Sequence, residues 1–417
     1  MKQIYYVIQT LLRGRGSNII KILSLGLALT MSILLFVRVA FEQSYDTCYR
    51  DPDRIYQLFS IFTINGERGE PGELNLPPVA GAVLENFSQE VEAAVSVCKY
   101  MVFGPLYNGS VRFKAYTVMA DSLFFQTLGI DVLRGDPLHE LQQKDVVFLS
   151  DRLAQKMFGD EDPIGKVISY DKQLQLTVKG VYAALPENST MNPEAVISIV
   201  SAWSRDWAEN SWEGGDSFFQ YIRFRPGVKV DVEKFNARLE AVIQNYLPQD
   251  GKDNSSYTSI VKPLRDVYRG DDAVRRMNAI TLILGLAILF IAALNYVLIS
   301  ISSLSYRAKA VGVHKCNGAS GGTVFSMFLL ETGIIILLSL ILVAFLLLNF
   351  REMIEEMLEV RLTSLFALGR IWVPLSVIGI LFLIGGVLPG RMFSRIPVSQ
   401  VFRHYTEGKK GWKRPLL

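Results

Sequence analysis

The sequence predicts a membrane protein with four transmembrane α-helices and one large extracytoplasmic α+β domain inserted between the first and second of them. Three observations carry that expectation. Hydrophobic residues fill 50% of the 417 positions and charged residues only 20%, with a mean hydropathy of +0.26; such an apolar surplus does not fit one soluble core. Four stretches reach the roughly 20 apolar residues that a helix needs to cross a bilayer, and nothing between residues 42 and 279 does. Lys and Arg gather in three short segments beside those stretches, which sets an orientation. The same composition excludes intrinsic disorder, and three cysteines in this length exclude a disulfide-stapled mini-domain.

Taken in order, residues 1–18 carry Ile4, Tyr5, Val7, Ile8, Leu11 and Leu12 at helical spacing, the pattern of an amphipathic helix lying in the membrane interface. Residues 19–41 form the first span. Its apolar run is longer than the roughly 7–15 residues of a signal-peptide core and lacks a small-x-small cleavage site, so an uncleaved anchor is expected. Lys21 and Arg38 stand near its opposite ends, where long basic side chains can snorkel to headgroups. Residues 42–279 are the extracytoplasmic domain, 280–301 the second span, 302–322 a basic connection, 323–348 the third span and 371–388 the fourth. Between the last two, residues 349–370 begin with Phe350, Met353, Ile354, Met357 and Leu358 opposite Glu352, Glu355, Glu356 and Glu359, which predicts a short shoulder helix on the outer membrane surface. Residues 389–417 are a basic tail.

Charge alternates with each crossing. Residues 1–18 hold Lys2, Arg13 and Arg15 with no acid, and 302–322 hold Arg307, Lys309 and Lys315 with no acid. The tail has a net +6, so the three segments together carry +12 in a chain of net +3, leaving −9 for everything else. The positive-inside rule places both termini in the cytoplasm and the large domain outside; the inner membrane and a periplasmic place for the domain are what the family resemblance described below implies. Cys48 and Cys98 fall in the outer domain, where they could pair or stand as free thiols; Cys316 falls on the cytoplasmic side.

Within the domain, β-branched and aromatic content predicts strands at 54–62, 91–103, 111–119, 146–149, 174–182 and 218–224. Helical patterns lie between them at 78–87, 150–158 and 232–246, with Ser150 or Asp151 and then Asp231 as caps. This mixed order is that of an α+β domain. No catalytic or metal constellation emerges: of three histidines only His139 is outside, and C-x-x-C and H-E-x-x-H spacings are missing. Gly165-Lys166 runs into Val167 and Gly251-Lys252 into Asp253, so there is no phosphate-cradling loop of the G-x-x-x-x-G-K-[ST] kind. Any ATP used must be bound by another chain.

The stretch Asn295-Tyr296-Val297-Leu298-Ile299, followed by Arg307-Ala308-Lys309-Ala310-Val311-Gly312-Val313-His314-Lys315-Cys316-Asn317-Gly318-Ala319-Ser320, resembles the signature of FtsX-like/MacB-like permeases, the membrane subunits of type VII ABC transporters. Phe328-Leu329-Leu330-Glu331-Thr332 resembles that family's opening of the third span, and Tyr45-Asp46 with Asp53-Arg54-Ile55-Tyr56 is similar to the segment past the first span in Bacteroidetes-type members. Val147-Phe148-Leu149-Ser150, Leu153-Ala154, Phe158-Gly159 and Pro163-Ile164-Gly165-Lys166 look like the MacB-like periplasmic core domain, as do Val178-Lys179-Gly180-Val181 and Leu185-Pro186-Glu187-Asn188-Ser189. Near the tail, Pro389-Gly390-Arg391 and Pro397-Val398 fit the family's end of the fourth span. Ala310, His314 and Cys316 depart from the family's usual pattern in this helix.

The resemblance implies a permease without enzymatic activity of its own, driven by a separate ABC ATPase that binds ATP and Mg, with mechanotransmission to the periplasmic domain. Efflux of a small molecule or peptide, or lipoprotein handling, are the outcomes it implies. Regulation of an envelope hydrolase is the alternative within the family, and a membrane-anchored sensor or scaffold that needs no ATPase is the alternative outside it. Implied partners are the ATPase, a second copy or a paralogue in a dimer, the membrane, and a periplasmic adaptor or substrate protein, but no nucleic acid. On this reading 302–322 is a coupling helix. Ala308, Val311, Gly312 and Lys315 lie along one side, Arg307, Lys309 and His314 on neighbouring faces, and Gly318 and Ala319 complete the motif. Its charge also fits a topology signal that meets anionic lipid. Ser24, Ala28 and Ser32 recur every four residues, a stripe that permits close helix approach and that the resemblance implies as a dimer seam; lipid-facing small residues are the competing reading. Asn295 and Glu331 are the polar residues deepest in or beside spans two and three, with Glu331 expected about a turn and a half from the cytoplasmic end.

Overall fold

The computed structural model describes residues 15–99, 104–213, 218–247, 255–302 and 320–394. They divide into two compact units, one running to Gln43 and resuming at Arg275, the other spanning Ser44–Val274.

The membrane unit contains, among the described residues, four helices long and apolar enough to cross a bilayer: Asn18–Glu42, Asp272–Ile301, Gly321–Asn349 and Leu368–Arg391. Large apolar side chains such as Ile283, Phe290, Ile341 and Leu375 stay more than 60% exposed in the single chain, as a lipid-facing surface requires. Span 1 packs chiefly on span 3. A Cβ on Gly26 would lie 2.6 Å from Leu342 Cδ2, and Ser339 Oγ donates to the carbonyl of Ile22 at 3.3 Å, so a small residue permits the close approach. Span 3 starts where Ser320 Oγ accepts from the backbone N–H of Thr323 at 3.2 Å, an ordinary N-cap. Span 4 is not one regular helix. It runs as α-helix over Trp372–Phe382, becomes π-helical over Leu383–Val387 and returns to α-helix over Leu388–Ser394.

The second unit is an α+β domain built on a 13-stranded sheet, counted among the described residues. In chain order the strands are β1 (Ile55–Ile64), β2 (Glu67–Arg68), β3 (Val91–Cys98), β4 (Leu106–Asn108), β5 (Val111–Phe113), β6 (Thr117–Ala120), β7 (Val132–Arg134), β8 (Val146–Ser150), β9 (Val167–Tyr170), β10 (Leu174–Tyr182), β11 (Ala195–Ser198), β12 (Phe219–Phe224) and β13 (Ser255–Pro263). The helices are α1 (Val79–Asn86), α2 (Phe124–Leu128), α3 (Pro137–Glu140), α4 (Asp151–Phe158), α5 (Val200–Trp203), α6 (Val232–Gln244) and α7 (Leu264–Gly270).

The spatial order is β13-β1-β12-β3-β6-β11-β8-β10-β9-β4-β5, with β2 added to β1 and β7 to β10. Only β6–β11 and β8–β10 pair in parallel. The join β3–β6 rests on two register pairs, Val97↔Ala120 and Cys98↔Met119, so the sheet is two lobes meeting at a narrow neck. One lobe, β13-β1-β12-β3, is covered by α1 and α6 through a core of Val79, Val83, Phe235, Leu239 and Ile243. The other packs Leu153 and Met157 of α4 against β8 and β10 on one face and the aromatics Phe124, Phe125, Phe148 and Tyr182 on the other.

Most sequence-predicted strands and helices recur with shifted ends. The expected strand 111–119 is two strands, because β5 pairs with β4 at the edge of the sheet while β6 pairs with β3 and β11 near its middle. The sequence reading has no strand at Ser255–Pro263, yet there it pairs along β1 from Ile64↔Ser255 to Tyr56↔Pro263. Its Ser-Ser-Tyr-Thr-Ser start is too polar to read as a strand without that partner.

Candidate functional site: a clasp at the ends of the inserted domain

The residues just inside the domain are bound to the loop after β10. Asp46 is fully buried and left-handed, with φ of 57°. Its Oδ1 accepts the backbone N–H of Thr190 at 2.7 Å, its Oδ2 accepts the Thr190 hydroxyl at 2.6 Å, and its own N–H donates to the Asn188 carbonyl at 3.0 Å. Asn188 returns the contact, donating from Nδ2 to the carbonyl of Ser44 at 2.7 Å and to its hydroxyl at 3.0 Å. Tyr49, fully enclosed, donates its phenol to the carbonyl of Met191 at 2.8 Å. Burial pushes the Asp46 carboxyl above its ordinary range, opposed by the two Thr190 hydrogen bonds and then by the charges of Arg269 and Lys99.

The exit of the domain joins the same cluster. Tyr268 of α7 stacks on Tyr45 with ring centroids 3.7 Å apart and planes 11° from parallel, and Arg265 of α7 pairs with Asp53. The first and last segments of the domain are thus fastened to each other and to one loop of its far lobe. Both motif segments quoted above, Tyr45-Asp46 and Leu185–Ser189, belong to this clasp, and nothing in the sequence alone places them together.

Other motif residues build the fold. Gly165 holds φ at 79° while its N–H donates to Val178, closing the turn between α4 and β9. Gly180 on β10 leaves room for the Phe148 ring of β8: a Cβ there would lie 2.0 Å from Phe148 Cε1.

In the membrane unit the polar groups form a second cluster. Tyr296 of span 2 donates to Thr332 Oγ1 of span 3 at 3.0 Å. Lys21 of span 1 is 1% exposed and holds its ammonium 5.5 Å from the centre of the Tyr296 ring. The π-helical turn of span 4 supplies Gly385 and Gly386, whose added Cβ atoms would lie 2.9 Å from Tyr296 and 3.2 Å from Thr332. Lys21 therefore points into the helix bundle and does not snorkel outward, because the Tyr296 ring and neighbouring spans enclose it. Arg38 bonds the Leu358 carbonyl at 3.2 Å and pairs with Glu42 at 2.5 Å.

Asn295 is half-buried and Glu331 buried, and each is the immediate neighbour of a residue in the Tyr296–Thr332 bond. Glu331 lies ten residues into the helix that starts at Gly321, nearly three turns rather than one and a half. The sequence signal for Tyr296 was its place beside Asn295; the Gly385-Gly386 pair gave the only hint of the irregular turn. Along the small-residue stripe, Ser24 and Ala28 are partly exposed, whereas Ser32 is fully buried within its own chain. Cys48 is exposed and Cys98 buried, and no disulfide joins them. In the shoulder helix Arg351–Leu358, Ile354 turns inward while Met353 and Met357 are 59% and 68% exposed. Residues 303–319, with Arg307, Lys309, Val311, Gly312, His314, Lys315, Gly318 and Ala319, lie outside the described residues, as do 1–14 and 395–417.

Four apolar helices and a large α+β domain inserted between the first and second define a class: a polytopic membrane protein with one extracellular domain. Residues 20–242, more than half of the chain, match the family model of the MacB-like periplasmic core domain. The chain belongs to this family of MacB-like, FtsX-like permeases of ABC transporters. Among solved structures it is similar to a domain assigned to a permease protein from Porphyromonas gingivalis, at 22% identity and a TM-score of 0.44, covering 52% of this chain and 91% of that one. The periplasmic region of MacB from Actinobacillus actinomycetemcomitans is similar at 16% identity and a TM-score of 0.35, covering 51% and 91%. The extracellular domain of the noncanonic ABC-type transporter YknZ from Gram-positive bacteria follows at 12% and 0.34, covering 50% and 99%. No curated protein matches the chain.

Proposed function

We propose that the chain is the permease subunit of a type VII ABC transporter, in which a separate ATPase, carrying ATP and Mg, presses on the connection 302–322 and the movement reaches the periplasmic domain. The observation that carries this reading is the clasp. Tyr45 and Asp46 follow span 1 and Tyr268 precedes span 2, so a shift of either span pulls on a point where entrance, exit and the loop 186–191 are already joined. Stacked rings and charge-assisted hydrogen bonds resist such a pull better than a flexible linker. In the membrane, the Lys21–Tyr296–Thr332 cluster and the π-helical turn give the four spans a polar contact that can be repacked.

In this reading the protein sits in the inner membrane with both termini cytoplasmic and works as a dimer, with Ser24 and Ala28 as seam residues. It acts on something already outside: efflux of a small molecule or peptide from the periplasm, or lipoprotein handling. Co-purification tests it. An ATPase with Walker motifs should be recovered with the chain and lost when Arg307, Lys309 and Lys315 are replaced by Glu. Recovery unchanged by that triple replacement, or no ATPase at all, would favour a sensor or scaffold.

A further inference from the structure

A cleft of about 360 Å³ opens in the periplasmic domain beside the neck of the sheet, between α1 and the segment that follows α5. The volume is within the roughly 300–1,000 Å³ usual for small-molecule sites. One wall is aromatic: Trp203 at the end of α5, and Trp212, which stacks on Tyr246 with centroids 5.0 Å apart and planes 16° from parallel. Its charged lining residues are Glu85 and Asp121, with no Lys or Arg among them.

Two polar groups here are incompletely used. Asp121 accepts the backbone N–H of Ser96 on Oδ2 at 3.1 Å and that of Leu123 on Oδ1 at 2.9 Å, and among the described residues it has no cationic partner. A carboxylate has acceptor positions beyond these two. The indole Nε1–H of Trp203 is buried with no acceptor among the described residues, a costly state for a donor. Gly81, in the first turn of α1, also lines the cleft, and an added Cβ there would meet nothing within 4 Å. A larger side chain at this exposed position has room to enter the cleft mouth.

We infer that this cleft binds an organic cation, a protonated amine on an apolar ring-sized body, with the ammonium at Asp121 and the body against Trp212. Aromatic faces and an unpaired carboxylate both favour a cation over a neutral or anionic ligand. The site does not depend on coupling to an ATPase, and its test is equilibrium binding.

The full chain in lipid nanodiscs is titrated calorimetrically with 2-phenylethylammonium and with the uncharged 2-phenylethanol. The amine should bind saturably and about tenfold or more tighter than the alcohol. Asp121→Asn should erase that preference, and Gly81→Leu should block both ligands while leaving the melting temperature within a few degrees. Should either variant fail to fold, Trp212→Ala should weaken the amine about fivefold or more by removing one aromatic face. Absence of saturable binding, equal affinity for amine and alcohol, or affinity unchanged in the folded variants would overturn the assignment.

Discussion

Replacing Asp46 tests whether the clasp holds the domain's ends. In Asp46→Ala the Thr190 N–H and hydroxyl both lose a carboxylate acceptor, and each such bond contributes about 1.5–3 kcal/mol. A further cost of roughly 1 kcal/mol arises because alanine must hold the left-handed backbone at φ 57°. Part of this is offset, since the removed carboxylate was itself held above its ordinary pKa by burial. The net expectation is a loss of about 3 kcal/mol, which for a domain of this size lowers its melting temperature by roughly 6–12 °C. Asp46→Asn keeps an acceptor for the Thr190 N–H, lets the Thr190 hydroxyl turn to accept, and tolerates the left-handed backbone, so its loss should stay near 1 kcal/mol or below. The assay is thermal unfolding of the full chain in detergent, followed by near-ultraviolet circular dichroism. A melting temperature for Asp46→Ala within about 2 °C of the parent, or equal losses in both variants, would refute the argument.

Gly180→Ala drives a methyl into the Phe148 ring and should cost about 3 kcal/mol, partly recovered by Phe148→Leu, as read by chemical denaturation. Burial raises the carboxyl of Asp121 to about 6 from 3.8, so its stabilising contribution is complete below 3.8 and lost as pH climbs through about 6. The melting temperature of the parent relative to Asp121→Asn should therefore fall across that interval. Gly385→Leu forces a side chain into Tyr296 and should lower the thermal stability of the membrane unit, whereas loss of the Tyr296–Thr332 hydrogen bond in Thr332→Val should cost only about 0.6 kcal/mol. In intact cells an impermeant maleimide should label Cys316 only after permeabilisation; labelling of Cys316 from outside would reverse the proposed orientation.

Much of the architecture was legible because its signals are local or additive. Twenty apolar residues in a row identify a span without reference to any neighbour, and the amphipathic period of 232–244 with Asp231 in front gives α6 and its cap, where Asp231 accepts the Lys234 N–H at 3.2 Å. Strands whose definition depends on a partner were harder. Ser255–Pro263 lacks a clear alternation, and 111–119 reads as one run although its halves join different strands. The clasp was legible only as separate motifs: Asp46 and Thr190 are 144 positions apart.

By itself the sequence determined the number of spans, the insertion point of the domain, the alternation of charge between segments, and the family. Those properties follow from composition along short windows, where each residue contributes its own transfer or charge term independently. Tertiary structure alone decided that Lys21 faces inward under Tyr296, that Ser32 is spent on its own chain's packing, and that Asp46 meets Thr190. Burial and pairing depend on which distant residues arrive at the same place, and that is fixed only when the chain closes on itself.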